Sequence, residues 1–371
     1  MSFNPRLHGM RALAAFGVLL FHWAQLFPVQ NHLYPGATPF GLQWHASFFI
    51  GFGWMGVPLF FVLSGYLLTH ILNTQPITPR RSLKFWQRRF LRIYPAVWLQ
   101  VAIFVALGPM IAGLPTLSFN SAGITNALLY INLPPTMSRP INPVWWTLPI
   151  ELGFYLLLPL IILLCQRIHW AWVVTTGVLG TLIWRWASIS LLADPPYYKH
   201  LAVLDALPGV LTPFLTGVAI AHLPMLARTW RYIVLAGAFI AIYALLLGIH
   251  YNLDSYWQGG FMLVAWPSLL AIAIAGAVWA AHAPLYGLTW LGSQPLVWLG
   301  HLSFGIYLWH YPCFKVARAL LPASDSLLDS VYYLSIVTTA TVLLASASYY
   351  IIERPLMGWG RRNHLKAPNT L

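Results

Sequence analysis

The residues of this chain that could do chemistry are ionisable side chains set inside apolar stretches. Arg11 and His22 stand eleven positions apart. In a helix turning about 100° and rising about 1.5 Å per residue, that is three turns plus about 20°, so both lie near one face, roughly 16 Å apart along the axis. A neutral imidazole held there suits proton removal from an attacking hydroxyl. The plainer reading makes Arg11 a snorkelling anchor and His22 a hydrogen-bonded interior residue. A second group is the basic run 80–95, in which Arg88, Arg89 and Arg92 fall at i, i+1 and i+4. Such spacing clusters guanidinium forks, which match phosphate oxygens; anchoring among lipid headgroups explains the same charges. A third is Glu151, one of only two glutamates, inside the apolar run 145–165. A carboxylate there must be paired, protonated or solvated. Trp145 and Trp146 beside it either stack on a sugar ring or mark a membrane interface. His301 and His310 add imidazoles further along.

Other chemistries lack their residues. No HExxH, GxSxG, Walker loop or usable GxGxxG is present, so no metal centre is expected. Cys165 and Cys313 sit in apolar runs without CxxC spacing, which argues against a zinc site or a disulfide framework.

The elements that must position these groups are legible from composition. Of 371 residues, 59% are hydrophobic and 7% charged, with a mean hydropathy of +0.70. Soluble domains carry about a quarter charged residues, so most of this surface must face lipid or other helices. Spanning runs of about 20 residues are expected near 11–28, 47–71, 93–113, 145–165, 170–191, 206–224, 232–250, 259–281, 297–319 and 329–352. The segment 124–131 is too short to span and reads as re-entrant or interfacial. The first apolar run, 13–27, is read as a retained helix. The predicted fold is thus all-α, a polytopic transmembrane bundle of about ten helices, built as one domain over 1–371 with a short disordered tail at 360–371.

Twenty Lys and Arg oppose seven Asp and Glu, a formal charge of +13. With the N-terminus inside, fifteen of the basic residues fall on cytoplasmic segments and five outside, so both termini are predicted cytoplasmic. The excess follows topology and forms no basic stripe of the kind that binds nucleic acid.

Six motifs stand in register along the chain. Leu7-His8-Gly9-Met10-Arg11-Ala12 with Leu20-Phe21-His22 resembles a DGLRA…FH element. Phe60-Phe61-Val62-Leu63-Ser64-Gly65-Tyr66-Leu67 is similar to FFxLSGYL, and Arg89 through Arg92 to Tyr94-Pro95 is similar to RxxR-x-YP. Trp146-Thr147-Leu148-Pro149-Ile150-Glu151 resembles WSLxxE. Ser303-Phe304-Gly305-Ile306-Tyr307-Leu308-Trp309-His310-Tyr311-Pro312 and Glu353-Arg354-Pro355 match two closing elements. Together they resemble, over residues 7–355, the acyltransferase 3 family of bacterial inner-membrane proteins, which includes O-antigen and exopolysaccharide O-acetyltransferases. The chain departs from the family at His8, where Asp is usual, and at Leu152, where a second Glu is common.

The resemblance implies acetyl-CoA, or a close acyl-CoA, as donor substrate with no permanently bound cofactor. The partners it implies are a hydroxyl-bearing acceptor such as a cell-surface glycan, and the lipid bilayer of the inner membrane. It puts the catalytic histidine at His22 and the carboxylate at Glu151, with Arg11, Arg88, Arg89 and Arg92 toward the donor phosphates. His8, Ser64, Tyr66, Trp146 and His310 are further motif positions. No serine or cysteine neighbours His22, which favours direct transfer over an acyl-enzyme relay. Two rival readings are a glycolipid transporter or flippase, which suits the intramembrane charges equally, and a non-catalytic relative acting as scaffold.

Overall fold

The computed structural model describes residues 4–27, 35–37, 43–45, 48–118, 120–135, 137–192, 194–324 and 326–362. Among them, ten helices of twelve residues or more follow in chain order: α1 (Pro5–Leu26), α2 (Gly56–Leu72), α3 (Pro79–Ala106), α4 (Thr147–Arg167), α5 (Trp170–Leu192), α6 (Leu211–His222), α7 (Arg228–Tyr251), α8 (Phe261–Ala281), α9 (Gln294–Leu320) and α10 (Leu327–Ser348). A π-helical stretch, Tyr349–Glu353, leads from α10 into a last helix, Arg354–Arg362. The only strands among the described residues are β1 (Pro35–Ala37) and β2 (Gln43–His45), an antiparallel pair of three residues each.

Six stretches are long and apolar enough to cross a membrane: Gly53–Leu72, Pro79–Ala106, Pro143–Arg167, Arg228–Tyr251, Phe261–Ala281 and Leu327–Gly358. A seventh arises if Trp170–Leu192 and Tyr197–Leu204, bent by 115°, form one broken span. The protein is therefore a multi-pass membrane protein. The other expected runs fall on α6, part of a shorter apolar helix, and on α1 and α9. Those last two are 22 and 27 residues long. They are less apolar because they hold Arg11 and His22, and His301, His310, Lys315 and Arg318. The segment 124–131 overlaps the short helix Ser121–Ala127, which is capped by Asn120 Oδ1 accepting from the Gly123 N–H at 2.9 Å. Of the tail, 360–362 complete the last helix, and 363–371 lie outside the described residues.

Local sequence explains where the site-bearing helices begin. Asn4 Oδ1 accepts from the Arg6 N–H at 3.2 Å, and Pro5 fills the first helical position, where a missing N–H costs nothing. Thr78 caps α3 in the same way, its Oγ1 accepting from the Arg81 N–H at 3.3 Å, with Pro79 next.

The chain divides into two compact units. The first comprises Met1–Arg11, Val57–Ser82 and Ile150–Val297. There α2 and α6 approach through glycines: a Cβ on Gly65 would lie 2.1 Å from the Phe214 carbonyl oxygen, and one on Gly217 would lie 2.2 Å from that of Val62. Phe61, Phe214 and Phe154 stack beside this crossing, with centroids 4.3 and 4.1 Å apart. Arg185, 1% exposed, pairs with Asp205 at 3.0 Å and donates to the carbonyls of Leu204, Gly209 and Leu263. The Leu263 carbonyl is free to accept because Pro267, four residues on, has no N–H. Arg231 likewise closes the end of α8, donating to Ala280, Ala283 and Pro284 carbonyls.

The second unit comprises Ala12–Gly56, Leu83–Pro149 and Trp298–Leu371. Here α1 meets the turn before α2 through small residues. A Cβ on Gly53 would stand 2.0 Å from the Gly17 carbonyl oxygen, and one on Gly56 would stand 2.2 Å from that of Ala14. Gly305 of α9 packs on Ala345 of α10, where an added Cβ would stand 2.9 Å from the alanine Cβ. Backbones approach this closely only where side chains are absent.

Candidate active site

In the second unit the polar groups gather around α9. Pro312 lies inside this helix, so the carbonyl of Leu308 has no intrahelical donor. In an apolar interior an unpaired carbonyl is costly, and two buried amides satisfy it. Gln100 Nε2 of α3 donates at 2.9 Å, and Asn142 Nδ2 donates at 3.0 Å. Asn142 Oδ1 also caps the turn Pro143–Trp146 that leads into α4, and Trp145 Nε1 donates to Gln100 Oε1 at 3.0 Å. Tyr307, one residue earlier on α9, donates to the Val144 carbonyl at 2.8 Å and stands 3.0 Å from Thr147 Oγ1. Both anchors, the Leu308 carbonyl and the Tyr307 side chain, lie on the turn of α9 that precedes the proline.

Two residues past Leu308, and two before the proline, sits His310, fully buried. Its Nδ1 lies 3.0 Å from the Ile306 carbonyl oxygen, and its Nε2 lies 3.1 Å from Nδ1 of His22 on α1. The two rings have centroids 5.0 Å apart. His22 Nδ1 is also 3.0 Å from the Val18 carbonyl oxygen, and Tyr311 meets the His22 ring edge-on at 5.2 Å. A carbonyl oxygen can only accept, so Nδ1 of His22 carries the hydrogen. In the neutral ring, Nε2 then holds the lone pair. The half-buried imidazole therefore offers a base on its Nε2 side.

The arginines of the basic run lie in the same unit. Arg88 is exposed and Arg89 and Arg92 half-buried. Arg89 lies over the Phe85 ring at 5.7 Å, and the field of Arg92 reaches Glu353 and Tyr349 of the π-helical stretch. Glu353 is buried and accepts from Ser348 Oγ at 2.8 Å.

The remaining motif residues belong to the first unit or to plain packing. Arg11 lies over the Phe60 ring at 5.8 Å. Half-buried Glu151 accepts from the Tyr155 hydroxyl one turn on. Tyr66 is buried between His70 and His282, with ring centroids at 4.7 and 5.7 Å. His8 and Ser64 are half-buried on α1 and α2, and Trp146 is half-buried where α4 begins. One expectation is corrected. Trp145 is 0% exposed, its indole N–H is committed to Gln100, and its ring packs on Phe104, so it cannot stack on a sugar.

Gln100 and Asn142 were not singled out by sequence. Pro312 was the available signal, because a proline inside an apolar helix requires donors from elsewhere for the carbonyl it frees.

Comparison with known proteins bears on what this site does. The profile of the acyltransferase domain family (Acyl_transf_3) matches residues 4–350. The peptidoglycan O-acetyltransferase OatA of Listeria monocytogenes is 27% identical over 98% of this chain and 57% of its own length. The O-acetyltransferase OatA of Staphylococcus aureus is 27% identical over 95% of this chain and 57% of its own. The chain thus spans little more than half the length of these relatives. No solved structure matches.

Proposed function

Because the chain belongs to the acyltransferase 3 family, we propose that it is a membrane O-acetyltransferase, moving an acetyl group from cytoplasmic acetyl-CoA to a hydroxyl of a cell-envelope glycan. The relatives' names, one specifying peptidoglycan, support a glycan acceptor. The observation that carries the reading is His22, whose Nδ1–H is held by Val18, leaving Nε2 as base. That ring shares a unit with the guanidinium groups of Arg89 and Arg92.

The transfer runs as one balanced exchange. The acceptor hydroxyl gives its proton to His22 Nε2 as its oxygen bonds to the acetyl carbon. The C–S bond breaks, and the leaving thiolate takes the proton from Nε2. Base catalysis of this type is worth about 10²–10⁴ in rate. Arg89 and Arg92 bind the donor phosphates through charge-assisted hydrogen bonds, which requires that end of α3 to face the cytoplasm, as the distribution of basic residues has it. Both termini then lie inside, in the bacterial inner membrane. Acetyl-CoA is a substrate here, and no bound cofactor takes part.

The test is made with purified protein in lipid vesicles, supplied with acetyl-labelled acetyl-CoA and a soluble peptidoglycan fragment. Free CoA and labelled, alkali-labile ester should form in equal amounts. An intact donor, with the glycan or its lipid-linked form instead carried across the vesicle wall, would replace this reading with transport.

A further inference from the structure

Building on His22 as the base, we infer that His310 is its positioning residue: a neutral imidazole that receives the His22 Nδ1–H and holds the ring through the proton transfer. The assignment follows from acceptors that cannot donate. The Ile306 carbonyl lies 3.0 Å from His310 Nδ1, so that nitrogen carries the hydrogen, and Nε2 of the neutral ring is a lone pair. This lone pair faces His22 Nδ1 at 3.1 Å. The opposite tautomers would set a ring lone pair against the Val18 oxygen on one side and the Ile306 oxygen on the other. The His22 Nδ1–H is therefore shared between the Val18 oxygen and His310 Nε2, which leaves Nε2 of His22 as the nitrogen with the free lone pair.

His310 does here what a buried carboxylate does in other base-histidine arrangements, without bringing a charge. When His22 Nε2 takes the acceptor's proton, the ring becomes an imidazolium, and the bond from Nδ1–H to His310 becomes charge-assisted and stronger. The proton stays on His22, because His310 is fully buried and placing the charge there costs more than keeping it on the half-buried ring of His22. It returns from Nε2 to the thiolate, and His310 ends as it began. The clamps on α9 serve this placement: Gln100 and Asn142 hold the Leu308 carbonyl, and Tyr307 holds the Val144 carbonyl.

The experiment compares wild type, His310→Leu, His310→Gln and His22→Ala, each purified and shown to be monodisperse. Acetyl-CoA turnover is followed with peptidoglycan fragment as acceptor. Histidine-selective ¹⁵N NMR of the wild-type protein reads the tautomers directly. In wild type, His22 should show a protonated Nδ1 and an unprotonated Nε2. His310→Leu should lower kcat about ten- to hundredfold, the value of a hydrogen bond to a charged group, with KM for acetyl-CoA within about twofold. His310→Gln, whose amide oxygen can accept near the position of Nε2, should recover most of that loss. Wild-type kcat in His310→Leu, equal losses in Leu and Gln variants, or a His22 protonated at Nε2 would each overturn the inference. Activity retained in His22→Ala would instead remove the base itself, and the NMR result would still report the tautomer.

Discussion

Replacing Gln100 with leucine should destabilise the second unit chiefly through one atom it leaves behind. Gln100 is fully buried and makes two strong contacts, accepting from Trp145 Nε1 at 3.0 Å and donating to the Leu308 oxygen at 2.9 Å. Leucine keeps nearly the same volume, so little cavity forms. The Leu308 carbonyl still receives Asn142 at 3.0 Å, and losing its second donor costs about 0.6 kcal/mol on the membrane-protein average. The indole N–H of Trp145 loses its acceptor in a site closed to solvent, a penalty of about 1–3 kcal/mol. The expected total is therefore about 1.6–3.6 kcal/mol. Trp145→Phe removes the donor and strands nothing comparable, since Gln100 Oε1 keeps Asn142 Nδ2 at 3.4 Å. In the double variant the stranded N–H is gone, so its loss should fall short of the sum of the two single losses by about 1–3 kcal/mol. Equilibrium unfolding in mixed micelles, followed by circular dichroism, measures the cycle. Strict additivity, or a neutral Gln100→Leu, would refute the reasoning.

Other consequences follow from the same contacts. Gly65→Val should cost at least about 1–3 kcal/mol and show as a lowered unfolding midpoint, because a Cβ there meets the Phe214 carbonyl at 2.1 Å. Arg185→Met should cost about 3–5 kcal/mol by stranding Asp205 and the Leu263 carbonyl. Asp205→Asn should cost clearly less, since the guanidinium keeps three carbonyls; thermal unfolding of the two variants ranks them. Arg89→Ala with Arg92→Ala should raise KM for acetyl-CoA by about tenfold or more with kcat little changed. An unaltered KM would return these arginines to membrane anchoring.

Much of the helical architecture was legible because burial in lipid leaves so few residue types available. The runs on α2, α3, α4, α7, α8 and α10 carry apolar side chains almost throughout, and all six meet the test of length and apolarity. The helices α1 and α9, expected as spans like the rest, are not among those six, since the histidines and cations they carry lower their apolarity. Motif spacing put His22 and His310 in view separately. Their 3.1 Å contact joins residues 288 positions apart, and no periodicity within one helix can report such a pairing. The sugar-stacking expectation for Trp145 failed because an aromatic next to a span boundary has the same sequence signature whether it faces an interface or, as here, a buried glutamine.

The central claim is that His22 Nε2 takes the proton in acetyl transfer, and one measurement addresses it most directly. Single-turnover transfer from labelled acetyl-CoA to glycan is compared between wild type and His22→Ala at equal amounts of folded protein and saturating donor. The account predicts a rate loss of about 10²–10⁴ with donor binding preserved. Transfer by His22→Ala within a few-fold of wild type would contradict it.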